Sequence, residues 1–328
     1  MQRITALLRR FVPALVLSAV AAAPGMAFAA YPEQPIKMIV SYAPGGGSDV
    51  IARLVAQYMA KHLGNNASIV VVNRPGAGGG IGFGELTRAP ADGYTIGMIN
   101  TPNVLTIPIE RKSNFHWQDY DLLGNVVDDP DNISVRADSE FKTLKDLVTY
   151  AKAHPGEVSY GTTGVGSDDH LAALQLEKAA GIKMNHVPFK GAAEVLNATV
   201  GKQITIAVMN IGEALAAVKG GNQLRQLGQM SAKRSSVAPD VPTFREQGYD
   251  IIMASLRGFA APKGLPAPIR EQLASALKKT AADPEFQAKA ASYFAPLRYL
   301  EPQAYSAELK DTEASFKQLW QVMPWGEK

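Results

Sequence analysis

No cysteine occurs in the 328 residues. Disulfides, thiolate metal sites and a lipid-bearing cysteine are therefore excluded as sources of stability or attachment. Nor can a G-x-G-x-x-G be read in any frame, although glycines are plentiful, and no G-x-x-x-x-G-K-[ST] phosphate loop is present. Nucleotide binding of either common kind is thereby disfavoured. The five histidines show no H-E-x-x-H, so neither metal nor cofactor is expected. A large excess of either charge is missing as well: 33 Lys and Arg stand against 30 Asp and Glu. Nothing in that balance supplies the basic stripe of a nucleic-acid face, and no nucleic-acid partner is expected.

The one long apolar run is at the start. Arg3, Arg9 and Arg10 precede Phe11 to Ala23, and Ala27-Phe28-Ala29 makes a small-x-small cleavage site, so residues 1–29 read as a secretory signal. The apolar run is shorter than the ~20 residues a membrane span needs, and Pro24-Gly25 follow it closely. Removing the three leader arginines leaves 30 charges of each sign. The expected product is a neutral, exported, soluble protein of the bacterial periplasm.

Beyond residue 30 the chain has room for two domains of ordinary size. Apolar, β-branched runs alternate with helical patterns, the signature of an α/β fold. Ile36 to Val40, Ile69 to Val72 and Thr95 to Ile99 predict strands, and Ile51, Leu54, Val55, Tyr58, Met59 and Leu63 predict a helix that ends at Gly64. A crossing near Leu122 to Val127 restarts the alternation. Thr143-x-x-Asp146 then predicts a capped helix, and further strands follow at Val158 to Tyr160, Met184 to Pro188, Ile204 to Met209 and Leu224 to Met230. Thr243 to Glu246 makes a second full capping box, and a last helix is expected through Tyr305 to Val322. These elements divide into a discontinuous first domain (31–126 plus 229–328) and an inserted second one (127–228).

Two stretches share one design. SYAPGGGSD (Ser41 to Asp49) and SYGTTGVGSDD (Ser159 to Asp169) each follow a strand with a glycine turn and then a helix start. Without a Cβ, the turn lets backbone approach a bound group, and the helix offers unpaired N–H groups and its positive pole. Such loops favour anions, and they lie at the carboxyl ends of strands, where open α/β sheets bind ligands. Placed face to face, they would clamp the two ends of one small anion.

The stretches YPEQPIKMIVSYAPGGGSDVIARLVA, NRPGAGGGIG, APADGYTIG, GTTGVGSDDHLAALQLEKAAG, HVPFKG and PDVPTFREQG occur in this order over nearly the whole chain after residue 30. In this they resemble the periplasmic receptors of tripartite tricarboxylate transporters, the Bug family. The resemblance implies an α/β, two-domain periplasmic binding protein (Venus flytrap, type II-like) with the ligand cleft between the domains. It implies a small carboxylate ligand, di- or tricarboxylate, delivered to membrane permease subunits by a monomeric receptor that is not an enzyme. Ligand presentation to a membrane sensor kinase, or an enzyme on a similar scaffold, are the alternatives. Two departures stand out: in ASLRGFAAP the family usually has tryptophan where Leu256 stands, and Asn210 stands where relatives often have aspartate. Both are expected on loops facing the cleft.

The expected ligand-binding residues are Tyr42, Gly46, Gly47, Ser48 and Asp49 of the first loop, Gly79 and Gly80 of a third glycine run, and Asn100 after the third strand. Thr162, Thr163, Gly164 and Ser167 of the second loop join them, with Lys190, Asn210 and Arg257. Arginine can grip a carboxylate with two parallel bonds, and the same geometry suits an internal salt bridge. Asp49 suits a helix cap as well as ligand contact, and Asp168 suits a helix cap. Ser167, Asp168, Asp169 and His170 carry the letters of a catalytic triad, yet neighbours at a helix start point in different directions, and no catalytic residue is expected.

Overall fold

The computed structural model describes residues 31–326, and the secretory signal read from residues 1–29 lies outside them. Strand β1 (Ile36–Val40) leads into helix α1 (Gly47–Leu63), β2 (Ile69–Asn73) into α2 (Gly80–Thr87), and β3 (Thr95–Thr101) into α3 (Asn103–Glu110). Next come β4 (Tyr120–Arg136), α4 (Leu144–Ala153), β5 (Ser159–Thr162), α5 (Asp168–Ala180), β6 (Asn185–Pro188) and α6 (Ala192–Val200). The chain continues through β7 (Ile206–Asn210), α7 (Ile211–Lys219) and β8 (Leu224–Gln229). It closes with β9 (Ala254–Pro262), α8 (Ala267–Ala282), α9 (Pro284–Ser292), β10 (Leu297–Leu300) and α10 (Pro302–Val322).

Local chemistry accounts for most of these elements. In α1 the residues Ile51, Leu54, Val55, Met59 and Leu63 are buried along one face. Each large apolar side chain so buried contributes about 1.5–3 kcal/mol before chain entropy is counted. Helix α4 starts at Thr143, whose hydroxyl accepts from Asp146 N–H at 3.2 Å while Asp146 accepts from Thr143 N–H at 2.8 Å. The second box behaves differently. Its two bonds form between Thr143's counterpart Thr243 and Glu246, but they cap only a 3-10 turn, Arg245–Gln247, because Gly248 turns the chain away.

The strands form two sheets that share one member. In the first the order is β2-β1-β3-β9-β4, with β10 also along β4; β1 runs parallel to β2 and β3, and β9 antiparallel to β3 and β4. In the second the order is β4-β7-β5-β6, with β8 also along β4. The expected crossing near Leu122 to Val127 is thus a single strand of 17 residues that serves both lobes. Along it, Pro130 still pairs with Ala254 of β9, and the next residue, Asp131, already pairs with Asn210 of β7. ASLRGFAAP is not a cleft loop. It is β9, buried from Leu256 to Pro262, so its side chains show no alternation of polarity for a reader of sequence to find.

Candidate functional site

The two glycine loops meet across the gap between the lobes. After β1, Gly45 takes a left-handed conformation (φ +86°), which turns Gly46 and Gly47 toward the second lobe. Asp49 ties this turn from behind: Oδ2 accepts from Gly45 N–H at 3.0 Å and from Arg53, and Oδ1 from Asn73 Nδ2 at 2.9 Å. From the opposite side, Thr106 Oγ1 donates to Gly166 O at 2.6 Å, and Ala43 N–H donates to Lys190 O at 3.2 Å. A Cβ on Gly164 would stand 3.0 Å from Gly78 Cα, so these backbones are in contact. The lobes are closed on one another.

Between them lies a small cavity of about 20 Å³, room for about one water molecule. Among the residues expected to bind ligand, Tyr42, Gly46, Gly47, Ser48, Asn100, Thr163 and Asn210 line it. Asp168, Glu213 and Ser255, which the sequence reading did not place in the site, line it too. A wider, mostly apolar cleft of about 320 Å³ adjoins it, walled by Val50, Ile51, Leu196, Met209 and Tyr293, and sharing Gly46, Gly47, Ala192 and Glu213 with the small cavity. Arg257 lies on the wall of this second space.

The remaining expected contacts are placed elsewhere, each with a task of its own. Asp49 braces its loop, as above. Gly79 lies against the Phe83 ring and Gly80 opens α2. Thr162 Oγ1 is 2.6 Å from His186 Nε2, and Ser167 is fully buried as the cap of α5, accepting from His170 N–H at 3.1 Å. Gly164 serves the contact with Gly78, and Lys190 is exposed. Arg74, in the third glycine run, fastens that run to α2 by donating to Glu85 at 2.8 Å.

Arg257 is only 2% exposed, and its guanidinium is met by groups of the protein itself. Nη1 donates to Asp129 Oδ2 at 3.0 Å; Nη2 donates to Asn210 Oδ1 at 3.0 Å and to Glu213 Oε1 at 3.4 Å. Its Nε has no partner. The internal salt bridge, not direct ligand grip, is the geometry adopted. Glu213 in turn reaches across the lobes, where Oε1 accepts from Gly47 N–H at 2.7 Å. An Asn210-x-x-Glu213 capping box was readable and its bonds are present, but that pattern says nothing of the bond to Gly47.

Asn210 Nδ2 also donates to Asp131 Oδ1 at 2.9 Å and to Asp168 Oδ2 at 2.8 Å. Carboxylate oxygens of Asp131, Asp168 and Asp169 lie within 4.8 Å of one another. No metal-ligand spacing is readable in the sequence, because folding gathers these residues from strand β4 and the first turn of helix α5. Among the described residues, Arg257 is the one cation paired into a buried group that holds Asp129, Asp131, Asp168, Asp169 and Glu213. Burial pushes the Asp129 carboxyl up to about 7, with Arg257 opposing and Glu213 adding to the rise. Burial also raises Asp131, helped by its neighbours Asp168 and Asp169. Glu213 is raised by burial against the pull of Arg257.

The letters of a triad dissolve in this arrangement. Ser167 caps α5, Asp168 meets Asn210, and Asp169 accepts from both the N–H and the hydroxyl of Thr163. His170 Nδ1 accepts from Gly166 N–H at 3.2 Å, and its ring stacks on His186 at 4.0 Å between centroids. Burial holds both imidazoles neutral, His170 down to about 3 and His186 to about 4.

Comparison with known proteins places the chain among relatives of one kind. The sequence profile described as tripartite tricarboxylate transporter family receptor matches residues 51–322. Protein BugT of Bordetella pertussis is 34% identical over 239 residues, 71% of this chain and 72% of that protein. A UPF0065 protein of Agrobacterium vitis is 34% identical over 285 residues, 84% of this chain and 79% of that one. The solved structure of the periplasmic binding protein BugD superposes with a TM-score of 0.84 at 30% identity, over 91% of this chain and 100% of that one.

Proposed function

Because the chain belongs to the tripartite tricarboxylate transporter receptor family, whose members are periplasmic solute-binding receptors, we propose that it captures a small organic carboxylate between its two lobes and presents it to the membrane permease of such a transporter. The observation that carries the reading is the bond from Gly47 N–H to a carboxylate, here that of Glu213, at 2.7 Å. The first turn of α1 thus has the geometry to hold a carboxylate, and its positive pole favours one. Two Rhodopseudomonas palustris proteins of the same fold, at 24% and 23% identity, were solved with adipate and with malate. They support the fold; the ligand of this chain is argued from its own cleft.

In this reading residues 31–126 plus 229–328 form one domain and 127–228 the other, and closure traps the ligand against Tyr42, Gly46, Gly47, Ser48, Asn100, Thr163 and Asn210. A di- or tricarboxylate is favoured, in keeping with the family. The receptor acts as a monomer in the periplasm after removal of residues 1–29, without cofactor or catalysis.

The test is a thermal-shift screen of mono-, di- and tricarboxylates, followed by calorimetry of the hits. A ligand that binds only the folded state stabilises it by about 2.7 kcal/mol at 100 times its dissociation constant. At least one clear shift is expected. No shift across all three classes, or chromatographic detection of a product from a bound acid, would overturn the proposal.

A further inference from the structure

We propose that the lobe of β1, β2 and β3 carries an anion site of its own, apart from the cleft, and that this site takes a phosphate group. A cavity of about 540 Å³ opens between α2, α3 and the turn that follows α3. It shares no lining residue with the small inter-lobe cavity or with the wider cleft beside it. Helix geometry places two of its cations. Arg88 and Arg111 each stand just past the last turn of a helix, α2 and α3, where the negative pole favours positive charge. Lys112 follows Arg111 in the same lining.

No carboxylate lines this cavity, and all three cations are exposed. Among the described residues Arg111 alone of the three is in an ion pair, with Glu110 at 2.9 Å, and its Nη2 donates to Ala77 O at 3.2 Å. Three like charges around one hollow repel one another, and an anion between them relieves that repulsion. Gly84 of α2 brings two of the polar groups together: a Cβ there would stand 3.0 Å from Asn114 Nδ2 and 3.2 Å from Arg88 Nη1, so the missing side chain lets amide and guanidinium lie side by side over the helix. The rest of the lining is apolar, with Phe115, 2% exposed, set against the Phe83 ring, and Ile81, 53% exposed, beside it. Two guanidinium forks, an ammonium and an amide offer more donors than the two oxygens of one carboxylate can accept. A phosphate group brings three strong acceptor oxygens and up to two negative charges, and an organic portion attached to it would cover Ile81 and Phe115. A soluble phosphate ester and the head group of an anionic phospholipid present this same chemistry.

Calorimetry with inorganic phosphate and glycerol phosphate, and co-sedimentation with phosphatidylglycerol vesicles against phosphatidylcholine vesicles, test the site at physiological ionic strength. Binding of a soluble phosphate or of the phosphatidylglycerol vesicles is expected, and which of them binds identifies the source of the group. The double variant Arg88→Ser, Lys112→Ser is expected to keep the circular dichroism of the parent and to bind that probe about tenfold more weakly or worse. If the double variant does not fold, Lys112→Ser alone carries the same test. Asn114→Leu leaves all three charges in place and is expected to weaken binding about fivefold. No binding of any phosphate probe overturns the proposal. So does undiminished binding by the charge variant, which would move the anion to the cleft, or by Asn114→Leu, which would leave a charged surface and no site. The receptor reading stands or falls separately, on the carboxylate screen.

Discussion

Glu213 Oε1 accepts a hydrogen bond from the Gly47 amide at 2.7 Å, although 166 positions separate the two in sequence. The carboxylate comes from the first turn of α7 in one lobe and the amide from the first turn of α1 in the other. This bond is one of several that tie the lobes together, and it shows which end of α1 is built to face an anion.

Glu213→Ala is expected to cost about 1–3 kcal/mol of folding stability, because it leaves the Gly47 N–H unpaired and removes a partner of Arg257. Urea denaturation measures the loss. A midpoint equal to that of the parent would mean that the bond contributes nothing to the closed form.

Gly164→Ala attacks closure from the second loop. Gly164 has φ +133°, which L side chains rarely adopt, and an added Cβ would press on Gly78 Cα at 3.0 Å. Backbone cannot move aside as a side-chain end can. Ligand affinity is therefore expected to fall about tenfold or more while circular dichroism keeps its α/β shape, and unchanged calorimetric affinity would remove the Gly164 to Gly78 contact from the closing step.

Arg257→Met leaves Asp129 and Glu213 buried without their cation, and breaking a buried pair in this way typically costs about 3–5 kcal/mol. The cost is expected to be larger at pH 8 than at pH 5, since protonation of the stranded carboxylates relieves it. Denaturation midpoints at the two pH values give the comparison. A loss independent of pH would indicate lost packing, not stranded charge.

The parent has a pH dependence of its own. Asp129 is pushed up to about 7 from an ordinary 3.8, so the folded state keeps a proton that the unfolded chain has released. Its contribution is complete below about 3.8 and is lost as the pH rises through about 7. His170 and His186 act in the opposite sense: held near 3 and 4 against an ordinary 6.5, they contribute above 6.5 and lose that contribution as the pH falls. Asp131, Asp169 and Glu213 are raised and share the sense of Asp129. Asp129→Asn should flatten the decline in stability between pH 5 and pH 8, and identical slopes in parent and variant would show that Asp129 does not titrate there.

Ser167→Ala removes the cap of α5 and is expected to cost about 1 kcal/mol. The readout is again urea denaturation. An intact midpoint would mean that the His170 N–H finds another acceptor.

How far these features were legible beforehand depends on the distance over which each is specified. The caps of α4 and α5, the amphipathic face of α1 and the glycine turns are local, and the residues that make them stand within four positions of one another. Strand β9 was hidden because burial from Leu256 to Pro262 erases the alternation that marks a strand, and Arg257 inside it reads equally as a ligand contact or an internal salt bridge. Its internal partners Asp129 and Glu213 lie 128 and 44 positions away. The acid cluster was illegible for the same reason: Asp131, Asp168 and Asn210 acquire their relation only when β4, α5 and β7 come together. Residues whose short side chains suit both a cap and a ligand, such as Asp49 and Ser167, were legible as positions and ambiguous as roles. Tertiary structure resolved them into braces.

In the proposed receptor, strand β4 is suited to serve as a hinge pin. Because one continuous strand is laddered to β9 up to Pro130 and to β7 from Asp131, sliding of the lobes past one another would break register, whereas a swing about that changeover would keep it. Swinging displaces groups in proportion to their distance from the pin. Asp129, Asp131 and Asn210 sit at it, and Arg257 pairs with Asp129 within a single sheet, so their charges keep their spacing through the stroke. The bonds from Gly47 to Glu213 and from Thr106 to Gly166 lie out along the arms and part first. The electrostatics of the fulcrum would thus be paid once, at folding, while each cycle of the proposed capture and release would work only the rim.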